Sequence, residues 1–394
     1  MLITEFGIIG LYFIVIFLAI YALERLRVPN ILGFLGLGLL NQYLGRYLVP
    51  LPLTEAFPLI GELAVWLLFF FIGLEYSPEA LARMGRSLWK PGLIDFGINF
   101  LVPLLLLSAL RYPLSQALVL SAALYPSSTV IVARLLSDTR RLASSEAELL
   151  IGVLIFEDVV GILLLTFLGG AGHTESSLYS ILALVGSFLI VVGVFMLLSR
   201  WGLHLIGRLL TPLAGNELVV FLVVGLVLGV GALGHAIGLS GALLTFLLGV
   251  LIPEENPFYE TATRTLVPFK ELAVGLFFFA IPSTMALTQV PALPVLSLSF
   301  LGMGLKAIST YMGAWVYGLG PRGRYRAALS FLPKGEFSLL FAQLGQAVSG
   351  VIVGMVVVSS VVGTVLFMRA ERLSVYLVPR RPQKGVVGTS VESG

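Results

Sequence analysis

The chain has 394 residues, of which 58% are hydrophobic and 11% charged; its formal net charge is +3 and its mean hydropathy +1.02. Soluble domains do not carry that much apolar surface, so the sequence reads as a polytopic membrane protein in a lipid bilayer, and positive loops explain its basic balance better than nucleic acid does. The absence of cysteine excludes disulfides, thiolate metal sites and thiol redox chemistry, and His173, His204 and His235 fall at predicted segment ends or loops without metal-ligand spacing.

Apolar runs separated by turn and charge clusters predict about thirteen spans, near residues 5–24, 29–44, 57–75, 91–110, 114–136, 147–170, 177–199, 216–232, 237–252, 266–282, 292–319, 325–346 and 350–373. The first run, Phe6 to Leu23, has no basic residue before it and no small-residue cleavage site after it, so it reads as a retained helix. Most of the Lys and Arg fall in alternate loops, which predicts an N-terminus outside and a C-terminus in the cytoplasm. Lys306 and Lys334 are different, because both lie inside predicted spans.

Glu62–Ile72 in the third span reads almost letter for letter like Glu271–Ile281 in the tenth. An odd number of spans separates them, so the copies run in opposite directions, as in the inverted repeats of secondary transporters. The expected organisation is one transmembrane domain over 1–379, with repeats at about 5–170 and 216–373, a linker helix at 177–199 and a short cytoplasmic tail at 380–394. Pro126 and Pro333 sit at matching depths of the two repeats. A proline inside a helix removes a backbone bond and clashes with the preceding turn, so both helices should break about halfway across. Broken backbone at that depth is tolerated where it is buried in protein or lines a cavity.

The sixth span carries Glu157 and Asp158 side by side, about ten residues from either end and so close to the bilayer midplane. An ionised carboxylate there costs about 2.5–3.5 kcal/mol on insertion scales and usually marks an ion or proton path. Counting about 1.5 Å per residue puts Pro126, Lys306, Lys334 and Glu336 in the same layer. Carboxylates and hydroxyls suit a cation that sheds water, and a buried carboxylate can take a proton instead. Asp158 is assigned that shared role, with Ser127, Ser128 and Thr129 as further oxygen ligands. Glu157 is expected to pair with Lys306, while Lys334 and Glu336 bind the freed ends of the crossing half-helices or each other. Structural readings stand beside these: both Lys–Glu sets could be staples, and Ser127 and Ser128 could bond the preceding turn. Glu62, Glu75 and Asp95 lie near predicted span ends and read as interfacial.

In Phe71–Glu75, Pro126–Thr129, Phe156–Asp158 and Lys334–Phe337, taken in order and spacing, the sequence resembles the monovalent cation:proton antiporters, in particular the Kef-like potassium-efflux branch, over about residues 5–375. The resemblance implies an all-α fold with two crossed broken helices, and a homodimer, with a dimerisation domain and a moving core domain, in the inner or plasma membrane of a bacterium. It also implies an elevator-like motion that exchanges sodium or potassium for protons at Asp158, with no cofactor. Glu157 departs from the pattern: the corresponding residue is Asp in electrogenic exchangers of this kind, Asn in electroneutral ones and Gln in potassium-efflux types. About twenty polar residues follow the last span, too few for the cytoplasmic nucleotide-binding domain of many Kef-like proteins. The alternatives are a sodium-coupled organic-anion symporter on the same fold and a cation channel. An enzyme is not expected, since no Cys, midplane His, H-E-x-x-H or G-x-S-x-G is present.

Overall fold

The computed structural model describes residues 2–25, 30–45, 57–74, 88–171, 186, 190–191, 193–202, 208–213, 215–216, 218–237, 239, 241–253, 255–284 and 291–378. Among them every regular element is helical: α1 (Leu2–Arg25), α2 (Asn30–Gly45), α3 (Phe57–Leu74), α4 (Leu88–Ala109), α5 (Leu114–Leu124), α6 (Thr129–Asp138), α7 (Ser145–Ala171), α8 (Val219–Ala236), α9 (Gly241–Val250), α10 (Pro257–Thr284), α11 (Ala292–Val316), α12 (Pro321–Ser330), α13 (Glu336–Leu344) and α14 (Ser349–Leu377). By length and composition α4, α7, α11 and α14 can each cross a membrane unaided, among the described residues. Most of the expected 177–199 linker, and all of the 380–394 tail, lie outside the described residues.

The helices sort into two bundles, each drawing from both halves of the chain. In the first, α3 packs along α9 and α10, α2 along α10, and α8 along α9. Close approach there depends on glycine: a Cβ on Gly73 would fall 2.1 Å from Phe246 O, and one on Gly249 would fall 2.2 Å from Phe70 O. The Phe-rich runs of α3 and α10 are buried, with Phe69, Phe70, Phe277 and Phe278 all at 1% exposure or less, so they serve packing rather than lipid. In the second bundle α14 packs against α11, α12 and α13, while α5 packs against α4, α7 and α13. The bundles meet where α7 touches α9, α13 touches α10 and α14 touches α2. Across that seam Phe69 of α3 meets Phe337 of α13 edge to face, with ring centroids 5.1 Å apart.

Three irregularities shape the second bundle. In α4 a π-helical turn at Gly97–Leu101 is closed by Val102 N–H donating to Gly97 O. Pro103 has no N–H for the carbonyl one turn back, and the widened turn next to it is a known response to such a gap. The other two are the interruptions at Tyr125–Ser128, between α5 and α6, and at Phe331–Gly335, between α12 and α13. Each contains the proline that sequence analysis singled out.

Candidate functional site

The two interruptions cross, and several of the backbone groups they free are satisfied across the crossing or by buried charges. Tyr125 N–H turns back to Ala122 O at 3.4 Å, and Pro126 has none to give. Of the next three amides, Ser127 N–H donates to Glu157 Oε2, Ser128 N–H to Pro333 O at 2.8 Å, and Thr129 N–H to Glu336 Oε1 at 3.1 Å. Ser127 Oγ donates to Phe331 O at 3.1 Å, and Ser128 Oγ to Glu336 Oε2 at 2.8 Å. Neither serine hydroxyl is spent on the preceding turn. The last carbonyls of α5, those of Leu124 and Tyr125, receive Lys334 Nζ at 2.6 and 3.2 Å.

That assignment follows the helix dipole. A helix C-terminus carries partial negative charge and attracts an ammonium; an N-terminus carries partial positive charge and attracts a carboxylate. Lys334 serves the C-terminus of α5 and Glu336 the N-terminus of α6, so the pair binds the freed ends, the first of the two arrangements weighed from sequence.

Asp158 is fully buried, and Thr129 Oγ1 lies 3.1 and 3.2 Å from its two oxygens. Thr129 opens α6, so the carboxylate faces the positive end of a half-helix. One residue before, Glu157 accepts the Ser127 amide on one oxygen and Lys306 Nζ on the other, at 3.1 Å. Phe337 lies over Gly161, where a Cβ would fall 2.9 Å from the Phe337 ring. That ring, with Phe69 beyond it, walls the site at the seam.

One acid lies elsewhere than its position in the sequence suggests. Asp95 is not interfacial: it is 2% exposed and holds Lys306 Nζ at 2.8 and 3.0 Å from its two oxygens. Asn99, one helical turn on, donates to Asp95 Oδ1 at 2.8 Å, and Ser309 Oγ lies 2.7 Å from the same oxygen. The signal in the sequence was the i, i+4 pair of polar residues in an otherwise apolar span. Glu75 and the side chain of Glu62 lie outside the described residues. Asp95, Glu157, Asp158 and Glu336 thus share the interior with Lys306 and Lys334. With every group ionised the four acids exceed the two bases by two negative charges, a surplus that two protons, or a proton and a monovalent cation, would neutralise.

A separate charged cluster closes one end of the second bundle. Glu146, fully buried at the start of α7, receives Arg141 at 3.3 Å and Arg326 of α12 at 3.0 Å. Burial pulls the Arg141 guanidinium below its ordinary value, while the Glu146 charge opposes that shift. Arg141 also lies 5.0 Å from the centre of the Phe367 ring. This cluster ties α7, α12 and α14 together away from Asp158.

Comparison with known proteins gives the family and the fold. The chain is 27% identical over 388 residues to the ammonium/H(+) antiporter subunit AmhT of Alkalihalophilus pseudofirmus, covering 95% of each chain. It is 28% identical over 304 residues to the K(+)/H(+) antiporter subunit KhtU of Bacillus subtilis, covering 75% of this chain and 73% of the relative. Among solved structures, the sodium proton antiporter MjNhaP1 of Methanocaldococcus jannaschii superposes with a TM-score of 0.75 at 18% identity, over 96% of this chain and all of that one; the two share a fold. Residues 12–370 match the profile of the transmembrane sodium/hydrogen exchanger family. The chain is therefore an integral membrane protein that belongs to the transmembrane sodium/hydrogen exchanger family.

Proposed function

We propose that this protein exchanges a monovalent cation for protons by alternating access, with Asp158 as the carboxylate that both ions occupy in turn. The observation that carries the reading is a fully buried carboxylate facing the N-terminus of α6 and bonded to Thr129, beside two crossing helix breaks. Such a carboxylate can accept a proton, or it can bind a cation together with the Thr129 hydroxyl and nearby backbone oxygens once the seam opens. Because Asp158 is sealed from solvent, the reading requires the bundles to move relative to each other. The first bundle, α1–α3 with α8–α10, would stay fixed in a homodimer, and the second would carry the site past it.

The finer assignments belong to the same reading. The two halves form an inverted repeat of six spans within about thirteen, with the N-terminus outside and the C-terminus in the cytoplasm. Sodium and potassium are the expected cations, and ammonium is a further candidate because one relative is named as an ammonium/H(+) antiporter subunit. Ser127, Ser128, Pro126 and Pro333 shape the crossing, Lys334 and Glu336 neutralise its ends, and Glu157 with Lys306 sets the charge next to Asp158. Cation and proton are linked reciprocally, so raising the pH should lower the half-saturating cation concentration, by up to about tenfold per unit where a single proton competes.

The test is proton release on cation binding. Purified protein in weakly buffered dye solution should release protons when sodium, potassium or ammonium is added, and Asp158→Asn should release none. Equal release from the variant would refute the role of Asp158.

A further inference from the structure

We propose that Asp95, and not Glu157, is the standing counterion of Lys306, which frees Glu157 to change partners during exchange. The proposal rests on the exchange reading above and adds a positioning residue to it. An ammonium has three hydrogens to donate. Lys306 lies within bonding distance of both oxygens of Asp95, at 2.8 and 3.0 Å, and of a single oxygen of Glu157, at 3.1 Å.

The surroundings of the two acids differ in the same sense. Asp95 is held by its own neighbours: Asn99 Nδ2 at 2.8 Å from the next turn of α4, and Ser309 Oγ at 2.7 Å from the turn of α11 that follows Lys306. Asn99 Nδ2 also reaches Ser309 Oγ at 2.8 Å. The quartet of Asp95, Asn99, Lys306 and Ser309 therefore sits wholly on α4 and α11, two continuous helices. Glu157 instead spans between that pair and the interruption before α6, through the Ser127 amide, and it precedes Asp158 in the chain. The rings of Tyr125 and Phe331 also face Lys306, 5.3 and 5.5 Å away at their centres.

This division solves a problem of buried charge. A lysine with Glu157 as its sole partner would be left as an uncompensated interior ammonium whenever Glu157 was neutralised or drawn toward a cation, a state that is strongly disfavoured. With Asp95 fixed on it, Lys306 keeps a partner throughout, and the pair contributes a constant, locally neutral wall beside the exchanging carboxylates.

The experiment compares Asp95→Asn, Lys306→Met, Asp95→Asn/Lys306→Met and Glu157→Gln/Lys306→Met with wild type, in proteoliposomes and by thermal unfolding. Asp95→Asn should lower maximal exchange by about tenfold or more while moving the half-saturating cation concentration less than about threefold, because it touches no ion ligand. Removing both members of the standing pair should restore exchange by about tenfold over either single variant. It should also raise the melting temperature above that of Lys306→Met by more than the Glu157→Gln double does. Wild-type exchange by Asp95→Asn, or better recovery in the Glu157 double than in the Asp95 double, would overturn the assignment. A wild type that moves no protons would refute the exchange reading instead, and the order of melting temperatures would still decide which acid is the standing partner.

Discussion

Lys334 reaches out of one helix interruption to the end of the helix broken by the other, its Nζ 2.6 Å from Leu124 O. Two residues on, Glu336 takes the first amide of α6. The crossing is thus held by one charge of each sign, each on the helix end that suits it. Lys334→Met should lower stability by about 3 kcal/mol, because the carbonyls of Leu124 and Tyr125 lose a buried charged donor. Glu336→Gln should cost less, about 1–2 kcal/mol, since an amide oxygen can still accept from Thr129. Thermal unfolding in detergent measures both, and a Lys334→Met protein that melts like wild type would contradict the stapling role.

The crossing also sets a steric limit. A Cβ at Gly335 would lie 2.4 Å from Ser128 Oγ and 3.2 Å from Ser128 Cα. Gly335→Ala should push the half-helices apart, cost about 1–3 kcal/mol and abolish exchange. Gly304 on α11 meets nothing within 4 Å, so Gly304→Ala is the control and should be neutral or stabilising by up to about 1 kcal/mol. Equal behaviour of the two variants would show that the crossing is looser than described.

Phe69 and Phe337 meet across the seam, and the absence of cysteine from the chain makes thiol chemistry there unambiguous. Phe69→Cys/Phe337→Cys treated with a short bifunctional thiol reagent should lose exchange, and reduction of a cleavable linker should return it. Persistence of exchange in fully cross-linked protein would mean that the bundles do not slide at this point. Phe337→Ala should also destabilise, by about 3–5 kcal/mol, through the cavity left against Gly161.

At the end of α7, Glu146→Gln leaves Arg141 and Arg326 without their shared carboxylate. A fully buried pair broken on one side costs about 3–5 kcal/mol, and Arg326 keeps 30% of its side chain in solvent, so about 3 kcal/mol is expected. Because the cluster lies away from Asp158, protein that folds should keep its half-saturating cation concentration within about twofold. A large change in that value with normal stability would make the cluster part of the ion path.

Much of this architecture was legible in the sequence because membrane spans are long, apolar and punctuated. Pro126 and Pro333 located both breaks, since a missing donor has the same consequence in any context. Counting residues put Lys306 and Glu157 in one layer, and they lie 3.1 Å apart. Counting failed for Asp95, near the start of its span: depth along one helix says nothing about the reach of a lysine from another, and a four-carbon stem covers several ångströms. The division into two bundles followed from the family resemblance and not from the residues themselves, because helices with hydrophobic residues on every side give no face to read. The π-helical turn in α4, next to Pro103, was not anticipated from the sequence.

The most direct test of the central claim is proton flux in proteoliposomes, followed with a trapped pH dye during sodium, potassium or ammonium pulses, for wild type and Asp158→Asn with and without a clamped membrane potential. Comparing clamped and unclamped traces also separates electrogenic from electroneutral exchange, and protein-free vesicles give the passive movement of ammonia that is subtracted from every ammonium trace. With Asp158 as the exchange site, at least one cation dissipates the pH gradient in wild type and the Asn variant gives no response beyond that of protein-free vesicles. A variant as active as wild type, or a wild type in which no cation moves protons at any pH, would contradict it.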